Sequence, residues 1–354
     1  MNMRLGIQSG ASLLGIFVII GSLMQCVSVV TADETKSTRV GIIGLDTSHS
    51  LAFTKAFNQT PSDPEMLGCR VVAAYPFGSR DIESSASRIP SYTEQIKTLG
   101  VAVVDSLDEL LEQVDCVLLE TNDGRLHLQQ AVEVFRAGKP VFIDKPTGSN
   151  LAEVIAIFNA AEKFGVPMFS SSSLRFSEGP QAIRSGAVGD VLGCDAYSPC
   201  SLEPTHVDLF WYGIHGVETL FTCLGPGCQS VQQTSRPDHD FVVGKWQGGR
   251  IGTFRGMRDG KRGFGATAFG QKDIQSFGRY DGYRPLLVQI AKFFQTHQPP
   301  VERAETIELY AFMQAASVSK SDGGREVQIA DVIEHATKEA QQLLANILEA
   351  RNGQ

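Results

Sequence analysis

Short apolar runs alternate with amphipathic segments along the first half of the chain. The segments with helical spacing are residues 50–58, 92–99, 107–113, 126–137 and 151–164. The apolar runs have the length of buried strands and are residues 40–44, 71–75, 102–104, 116–120, 141–144 and 167–170. Strict alternation of strand and helix is typical of a parallel sheet that helices cover on both faces. The pattern therefore predicts a doubly wound α/β domain, whose ligands bind beyond the carboxyl ends of the strands.

The second half of the chain follows a different rhythm. Helical spacing is seen at 213–224 and 283–295, and extended segments are seen at 191–197, 241–246, 250–255 and 265–269. This mixture indicates an α/β domain with a largely antiparallel open sheet. Apolar residues at helical spacing predict a terminal amphipathic helix. We therefore expect domains at residues 39–170 and 171–328, followed by a helical segment at 329–354.

The first 32 residues differ from the rest of the chain. Arg4 is their only charged residue, residues 13–30 are largely apolar, and small residues precede Asp33. This pattern predicts a signal peptide at residues 1–32 and a polar linker at 33–38. We expect export to the periplasm or another extracytoplasmic space, with no membrane attachment after cleavage. An uncleaved membrane anchor is the alternative, because the apolar run is nearly long enough to span a bilayer.

Composition and charge indicate the kind of partner. The chain has 42% hydrophobic residues and a formal net charge of -8. Nucleic-acid binding requires a basic face, so we expect a small-molecule partner and no nucleic acid. Export permits disulfides, but the cysteine spacing does not determine their pairing, and Cys116 reads as a small buried hydrophobe. No spacing typical of metal ligands occurs, so we assign no metal site.

The stretch GIIGLDTSHS stands directly after the first predicted strand, where a nucleotide-binding loop is expected. The three glycines of a GxGxxG loop permit a tight turn, close approach of a pyrophosphate and close helix packing. Here those positions are Gly44, Asp46 and His49. A carboxylate at Asp46 would face and repel a diphosphate. The alternative is that Asp46 caps the following helix, aided by Thr47 and Ser48. All five residues are candidate cofactor contacts.

The end of the second predicted strand lacks the acidic residue that binds an adenosine ribose in such domains. The sequence there is YPFGSR, which ends in Ser79 and Arg80. A hydroxyl and a guanidinium suit a 2'-phosphate, because arginine binds phosphate bidentately. This gives NADP a slight preference over NAD. A solvated loop arginine is the alternative.

Three later stretches carry a resemblance to a known family. They are HLQQAVEVFRAGKPVFIDKPTG, SSLRFS followed by GAVGDVLGCDAYSP, and WYGIHGVETL. In combination, over residues 39–329, the chain resembles the glucose-fructose oxidoreductase/inositol dehydrogenase/MocA (Gfo/Idh/MocA) family. The resemblance implies a Rossmann-like N-terminal domain and a second domain whose open sheet often forms the interface of a homo-oligomer.

The resemblance also implies hydride transfer between a nicotinamide and a sugar, polyol or cyclitol. Lys145 would lie beside the nicotinamide and the reacting oxygen, and His215 would be the acid/base. An ammonium stabilises a developing alkoxide, and an imidazole titrates near neutral pH, so both residue types suit these roles. Thr121 and His127 are further candidate cofactor contacts.

One position departs from the family pattern. Four residues before His215, the usual aspartate is replaced by Trp211, which Tyr212 follows. The two aromatic side chains could stack on a sugar ring or belong to the core. Arg175 matches a family arginine that would anchor either the substrate or the domain hinge.

The sequence therefore favours an NAD(P)-dependent oxidoreductase acting on a carbohydrate-like substrate. The alternatives are a non-catalytic exported sugar-binding protein on the same scaffold and a redox-assisted glycoside lyase or hydrolase. Asp46, His49 and Trp211 motivate the binding protein, because each replaces a residue on which the family's catalysis depends.

Overall fold

The computed structural model describes Gly10 and residues 37–352. The predicted signal peptide and all but the last two residues of the linker fall outside the main described segment. Residues 37–352 belong to one compact unit. Among the described residues, no helix is both long and apolar enough to cross a bilayer.

A six-stranded parallel sheet forms the first half of the molecule, as predicted. Its strands are β1 (Thr38–Ile43), β2 (Cys69–Tyr75), β3 (Ala102–Val103), β4 (Cys116–Leu119), β5 (Val141–Ile143) and β6 (Met168–Ser170). Their spatial order is β3-β2-β1-β4-β5-β6. Strand β1 pairs with β2 on one side and with β4 on the other, both in parallel. The direction in which successive strands are added to the sheet therefore reverses at β1. In such sheets ligands bind beyond the carboxyl ends at this reversal.

Helices connect these strands and cover the sheet. They are α1 (Ser48–Phe57), α2 (Glu83–Ala86), α3 (Ile89–Thr98), α4 (Leu107–Gln113), α5 (Gly124–Arg136) and α6 (Leu151–Phe164). All but α2 coincide with helices that the apolar spacing predicts. Side-chain caps begin several of them, with Asp123 at α5 and Asn150 at α6. Such caps satisfy backbone amides that the helix leaves free.

The second half contains a seven-stranded sheet. Its strands are β7 (Val191–Pro199), β8 (Cys228–Ser235), β9 (His239–Trp246), β10 (Ile251–Met257), β11 (Gly265–Gly270), β12 (Ile274–Phe277) and β13 (Val327–Gln328). The order is β12-β11-β7-β10-β9-β8-β13, and all pairs are antiparallel except β7 with β10. The prediction of a largely antiparallel sheet is confirmed. Strand β8 was not predicted, because buried polar side chains such as Gln233 obscure its apolar alternation.

Six helices lie in the second half of the chain. They are α7 (Glu178–Arg184), α8 (Asp208–Trp211), α9 (Ile214–Leu224), α10 (Arg284–Thr296), α11 (Arg303–Ser321) and α12 (Ile329–Asn352). The terminal helix forms as predicted, whereas α11 was not predicted. Helix α10 shares a core with the first sheet, since Leu286, Ile290 and Phe293 pack in the same cluster as Val40 and Phe142. The packing therefore crosses the predicted domain boundary.

Candidate active site

One cavity of about 430 Å³ is lined by half of the predicted site residues. Lys145 and His215 line it together, although they are far apart in the chain. The two groups therefore lie at one cavity, and their catalytic roles stay predictions. The cavity lining comprises Thr47, Ser48, His49, Ser84, Arg88, Asn122, Lys145, Ser173, Leu174, Ser201, Trp211, Tyr212, His215, Phe264, Tyr280 and Tyr283.

The end of the loop after β1 and the start of α1 bring three of these residues to the cavity. Gly44 has a φ of +98°, and a Cβ there would lie 2.4 Å from the backbone nitrogen of Thr121, so only glycine fits. Thr47 caps α1 by accepting a hydrogen bond from the His49 amide at 3.4 Å. The first turn of α1 therefore presents Thr47, Ser48 and His49 to the cavity.

Asp46 does not cap the helix, and that alternative is wrong, because Thr47 is the cap. The Asp46 side chain turns inward and is fully buried. It accepts hydrogen bonds from the Asn122 amide at 3.0 Å and from the Ser85 hydroxyl. Burial raises the pKa of Asp46 against the effect of these bonds, which favours the neutral acid. The carboxyl group holds the loop after β4 to α2.

Ser79 and Arg80 do not line this cavity. They line a second cavity of about 370 Å³, together with Asp81, Asp123 and Arg125. The Arg125 guanidinium lies 2.7 Å from Asp81 and 2.6 Å from Asp123. Its hydrogen bonds hold the pKa of Asp81 below its usual range. Ion pairs therefore hold Arg125 in place at this second cavity. The sequence analysis did not single out Arg125.

Lys145 follows β5 and is only 7% exposed. Its Nζ lies 3.4 Å from Asp144 Oδ2, and His49 Nδ1 lies 2.8 Å from the same oxygen. Burial by itself raises the pKa of Asp144, but the charges of His49 and Lys145 outweigh it, so that the pKa lies below its usual range. The carboxylate therefore stays ionised and holds the side chains of His49 and Lys145 at the cavity.

His215 projects from the first turn of α9 and is buried. Its Nδ1 lies 2.7 Å from the Ser172 hydroxyl, and its ring packs edge-on against Tyr212 and Phe264. Burial lowers the pKa of His215 well below its usual range, and the nearby positive charge of Lys145 adds to the effect. The imidazole is therefore neutral at neutral pH and able to accept a proton.

Arg175 and His127, two other predicted site residues, do not line the cavity. Arg175 is 2% exposed and pairs with Glu218 and with Glu305, the latter at 2.7 Å. His127 is fully buried, with its ring nitrogens 2.7 Å from the Thr121 carbonyl and 3.2 Å from the Thr147 carbonyl. These contacts join neighbouring segments of the fold, so Arg175 has the environment of an anchor between elements.

The remaining predicted residues divide in the same way. Thr121 is fully buried behind Gly44 and does not line the cavity. Trp211 and Tyr212 do line it, and the Trp211 ring lies 5.0 Å from that of His206. Both aromatic side chains are partly exposed, which suits contact with a ligand.

Sequence reasoning missed several residues at or beneath the cavity. Arg88, Tyr280 and Tyr283 line it, but they come from segments without a recognisable motif. Glu120 was also missed. It lies fully buried directly after β4, and burial raises its pKa well above the usual range. The charged end of the apolar run VLLE was the available signal, because ligands of parallel sheets gather at strand ends.

Comparison with known proteins bears on this geometry. Residues 38–171 match the model of the Gfo/Idh/MocA family, described as an oxidoreductase family with an NAD-binding Rossmann fold. An uncharacterized oxidoreductase of Streptococcus pneumoniae is 31% identical over 112 residues. That match spans 30% of this chain and 30% of the relative.

Solved structures of oxidoreductases share the fold over most of the chain. A probable dehydrogenase from Thermotoga maritima has a TM-score of 0.68 at 19% identity, covering 83% of this chain and 100% of its own. A scyllo-inositol dehydrogenase from Lactobacillus casei, solved with NAD(H) and scyllo-inositol, has a TM-score of 0.67 at 15% identity. It covers the same shares of the two chains. At these identities the likeness shows the fold.

The cavity has features that suit the phosphate groups of a dinucleotide. Gly44 permits the tight turn, and the first turn of α1 faces the cavity, where helix amides suit a phosphate. The carboxyl group of Asp46, which we expected to repel a diphosphate, is buried and does not line the cavity.

Proposed function

We propose that the chain is an NAD(P)-dependent oxidoreductase that acts on a sugar, polyol or cyclitol. The observation that carries the proposal is that Lys145 and His215 line one cavity at the carboxyl ends of the parallel strands. A bound nicotinamide would supply the hydride acceptor. Thr47, Ser48 and His49 would hold its phosphates, and Lys145 would lie beside the reacting carbon.

The protonation state of His215 suits the oxidation of an alcohol. Its lowered pKa keeps the imidazole neutral, so it can take the proton of the substrate hydroxyl. The Ser172 hydroxyl at Nδ1 fixes the ring orientation. The Lys145 ammonium stabilises the alkoxide that develops on the same oxygen. This division of roles also needs no aspartate at the position of Trp211.

The cavity wall supports a ring-shaped, hydroxylated substrate. Trp211, Tyr212 and Phe264 offer apolar faces on which a sugar or cyclitol ring can pack, while Ser173 and Ser201 offer hydroxyl groups. Scyllo-inositol is the molecule bound in the Lactobacillus casei structure. We extend that substrate class to this chain, with no preference assigned between NAD and NADP.

Reduction of NAD and NADP should be measured with cyclitols, polyols and aldoses as substrates. Lys145→Met should lower kcat/KM by about 100-fold or more, because it removes the charge beside the reacting oxygen. The exposed Lys55→Met is the matched control and should leave kcat/KM unchanged. Absence of both turnover and nucleotide binding in the wild-type protein would remove the proposal.

Two alternatives give different results in the same assays. A sugar-binding protein without redox turnover is the first alternative, and its motive is that Asp46, His49 and Trp211 replace residues of the family pattern. It would bind carbohydrate and give no nucleotide reduction. A redox-assisted glycoside lyase or hydrolase would release a free sugar from a glycoside without net consumption of nucleotide.

We also propose export of the mature chain and assembly into a homo-oligomer through the second sheet. Residues 1–32 support export by their signal-peptide pattern. Exposed apolar side chains on the second sheet support assembly, and they include Ile251 and Ile274. N-terminal sequencing of protein recovered outside the cytoplasm tests the first, since cleavage after residue 32 is expected.

A further inference from the structure

Three side chains with metal-binding groups meet beneath the cavity. Glu120 follows β4, Asp144 follows β5 and His49 lies in the first turn of α1. One potential ligand atom from each lies within 4.8 Å of the other two. His49 Nδ1 and Asp144 Oδ2 are 2.8 Å apart. The carboxyl ends of neighbouring strands thus bring together residues that are distant in the sequence.

Glu120 is the member of this cluster that calls for a ligand. It is fully buried, and neither carboxylate oxygen has a hydrogen-bond partner within residues 37–352. A buried polar atom without a partner costs about 1–3 kcal/mol, and a buried charge costs more. Protonation would remove the charge but would leave the hydroxyl and the carbonyl oxygen unpaired. A cation would satisfy the carboxylate directly.

We propose that His49, Glu120 and Asp144 form a binding site for one divalent transition-metal ion. One imidazole nitrogen and two carboxylates are a ligand set that suits Mn²⁺, Fe²⁺ or Zn²⁺. Metal bonds of about 2.0–2.2 Å place neighbouring ligand atoms roughly 3–4 Å apart. The ligand atoms here lie within 4.8 Å of one another, and binding would replace the 2.8 Å hydrogen bond between His49 and Asp144 with slightly wider spacing. The site goes beyond the proposed oxidoreductase activity, because transfer of a hydride to a nicotinamide requires no metal.

The site adjoins the cavity without filling it. His49 lines the cavity and its side chain is 12% exposed, whereas Asp144 and Glu120 are buried beneath it. The cavity therefore offers a route of entry for an ion and room for water or a substrate oxygen as a further ligand. A metal ion could not reach a cluster that lacked such access.

Lys145 is the competing cation. Its Nζ is 3.4 Å from Asp144 Oδ2, so the ammonium balances part of the negative charge. It forms no hydrogen bond with Glu120, whose oxygens have no partner among the described residues. Metal binding would loosen the contact between Lys145 and Asp144. If the Lys145 ammonium alone balanced the negative charge of Glu120 and Asp144, the cluster would bind no metal ion in the wild-type protein.

Metal binding can be measured without any assay of activity. Full-length protein freed of metal with a chelator should be titrated with Mn²⁺, followed by electron paramagnetic resonance, and with Zn²⁺, followed by calorimetry. We expect one ion per chain. Glu120→Gln should weaken binding by more than about 10-fold, because loss of even an outer-shell partner weakens metal sites by that factor.

Glu153→Gln is the matched control. Glu153 is a partly buried carboxylate at the start of α6 that accepts a hydrogen bond from the Ser149 amide at 2.7 Å, and it does not line the cavity. This variant makes the same chemical change and should bind the ion like the wild type. If Glu120→Gln fails to fold, His49→Ala, whose side chain is more exposed, provides the second test and should also lose the ion.

The outcomes separate this proposal from the proposed enzyme activity. Lys145→Met should abolish turnover but keep or tighten metal binding, because it removes the competing ammonium. No bound ion in the wild-type protein, or an ion whose affinity Glu120→Gln leaves unchanged, would overturn the metal site. An ion bound by Lys145→Met but not by the wild type would also overturn it, since it would identify the lysine as the native partner.

Discussion

The direction of one side chain decides the role of Asp46. At a loop position where the family pattern has glycine, a carboxylate facing outward would oppose a diphosphate. In the structure it faces inward and accepts hydrogen bonds from Asn122 and Ser85. The Asp46 carboxyl group therefore does not enter the cavity, and its buried hydrogen bonds hold the loop in place.

Replacing Asp46 should therefore affect stability. Asp46→Ala leaves the Asn122 amide and the Ser85 hydroxyl without their acceptor, which should lower the free energy of unfolding by about 1–3 kcal/mol. Asp46→Asn should cost less, since its amide oxygen can still accept. Urea denaturation measures both, with the exposed Asp190→Ala as control. Equal stability of Asp46→Ala and the wild type would mean that the buried bonds contribute nothing.

At this scale the sequence identified residue types better than side-chain directions. Lys145 and His215 were predicted because motifs mark them, and both line one cavity in the structure. Arg175 and His127 belong to similar motifs but point into buried contacts. Direction at a loop or helix start depends on packing from distant segments, which local spacing does not contain.

His206, in the loop before α8, forms a hydrogen bond with the first residue of α5. The amide of Gly124, the first residue of α5, donates to His206 Nε2 at 3.0 Å. An imidazole that accepts at Nε2 must be neutral, and a positive charge at a helix N-terminus is unfavourable. Burial lowers the pKa of His206 to about 4, although Asp123 opposes the shift. The helix start thus depends on the protonation state of one histidine.

Stability should fall in acid through this contact. The folded pKa of about 4 lies below the unfolded value of about 6.5, so the unfolded chain binds more protons between these pH values. The contribution of His206 is complete above pH 6.5 or so and is lost as the pH falls through about 4. His206→Gln keeps an acceptor but does not titrate.

The measurement is urea denaturation from pH 4 to 8. The difference in unfolding free energy between the wild type and His206→Gln should shrink or reverse as the pH falls. The two proteins have all other titratable groups in common, so the difference reports on His206 and its neighbour Asp123. A difference that stays constant over this pH range would show that the imidazole titrates alike in the folded and unfolded chains.

The element pattern predicted the first sheet almost completely and the second only in part. Continuous apolar runs mark strands that are buried on both faces, as in β4. Strand β8 and helix α11 escaped, because Gln233 is buried with hydrogen bonds and α11 is packed on several sides. Periodicity weakens where an element buries polar groups or lacks one solvent face.

At the scale of the whole molecule, the second sheet presents an unusual exposed row. Strand pairing aligns Ile251 with Gly193, Gly193 with Phe269, and Phe269 with Ile274. Ile251 is 52% exposed, Phe269 is 37% exposed and Ile274 is 62% exposed. A contiguous apolar patch on a sheet face marks an interaction surface more often than a solvated one.

The row supports association of two or more copies through this face. Charged groups placed in a buried apolar interface must be desolvated, so Ile251→Glu combined with Ile274→Glu should convert the oligomer to monomer. The same exchange at Leu67, which is 42% exposed in the first half of the chain, is the matched control and should leave assembly unchanged. Light scattering coupled to size exclusion measures the mass directly. Wild-type protein that is monomeric at high concentration would contradict the interface, while an oligomer that survives the double variant would place it on another surface.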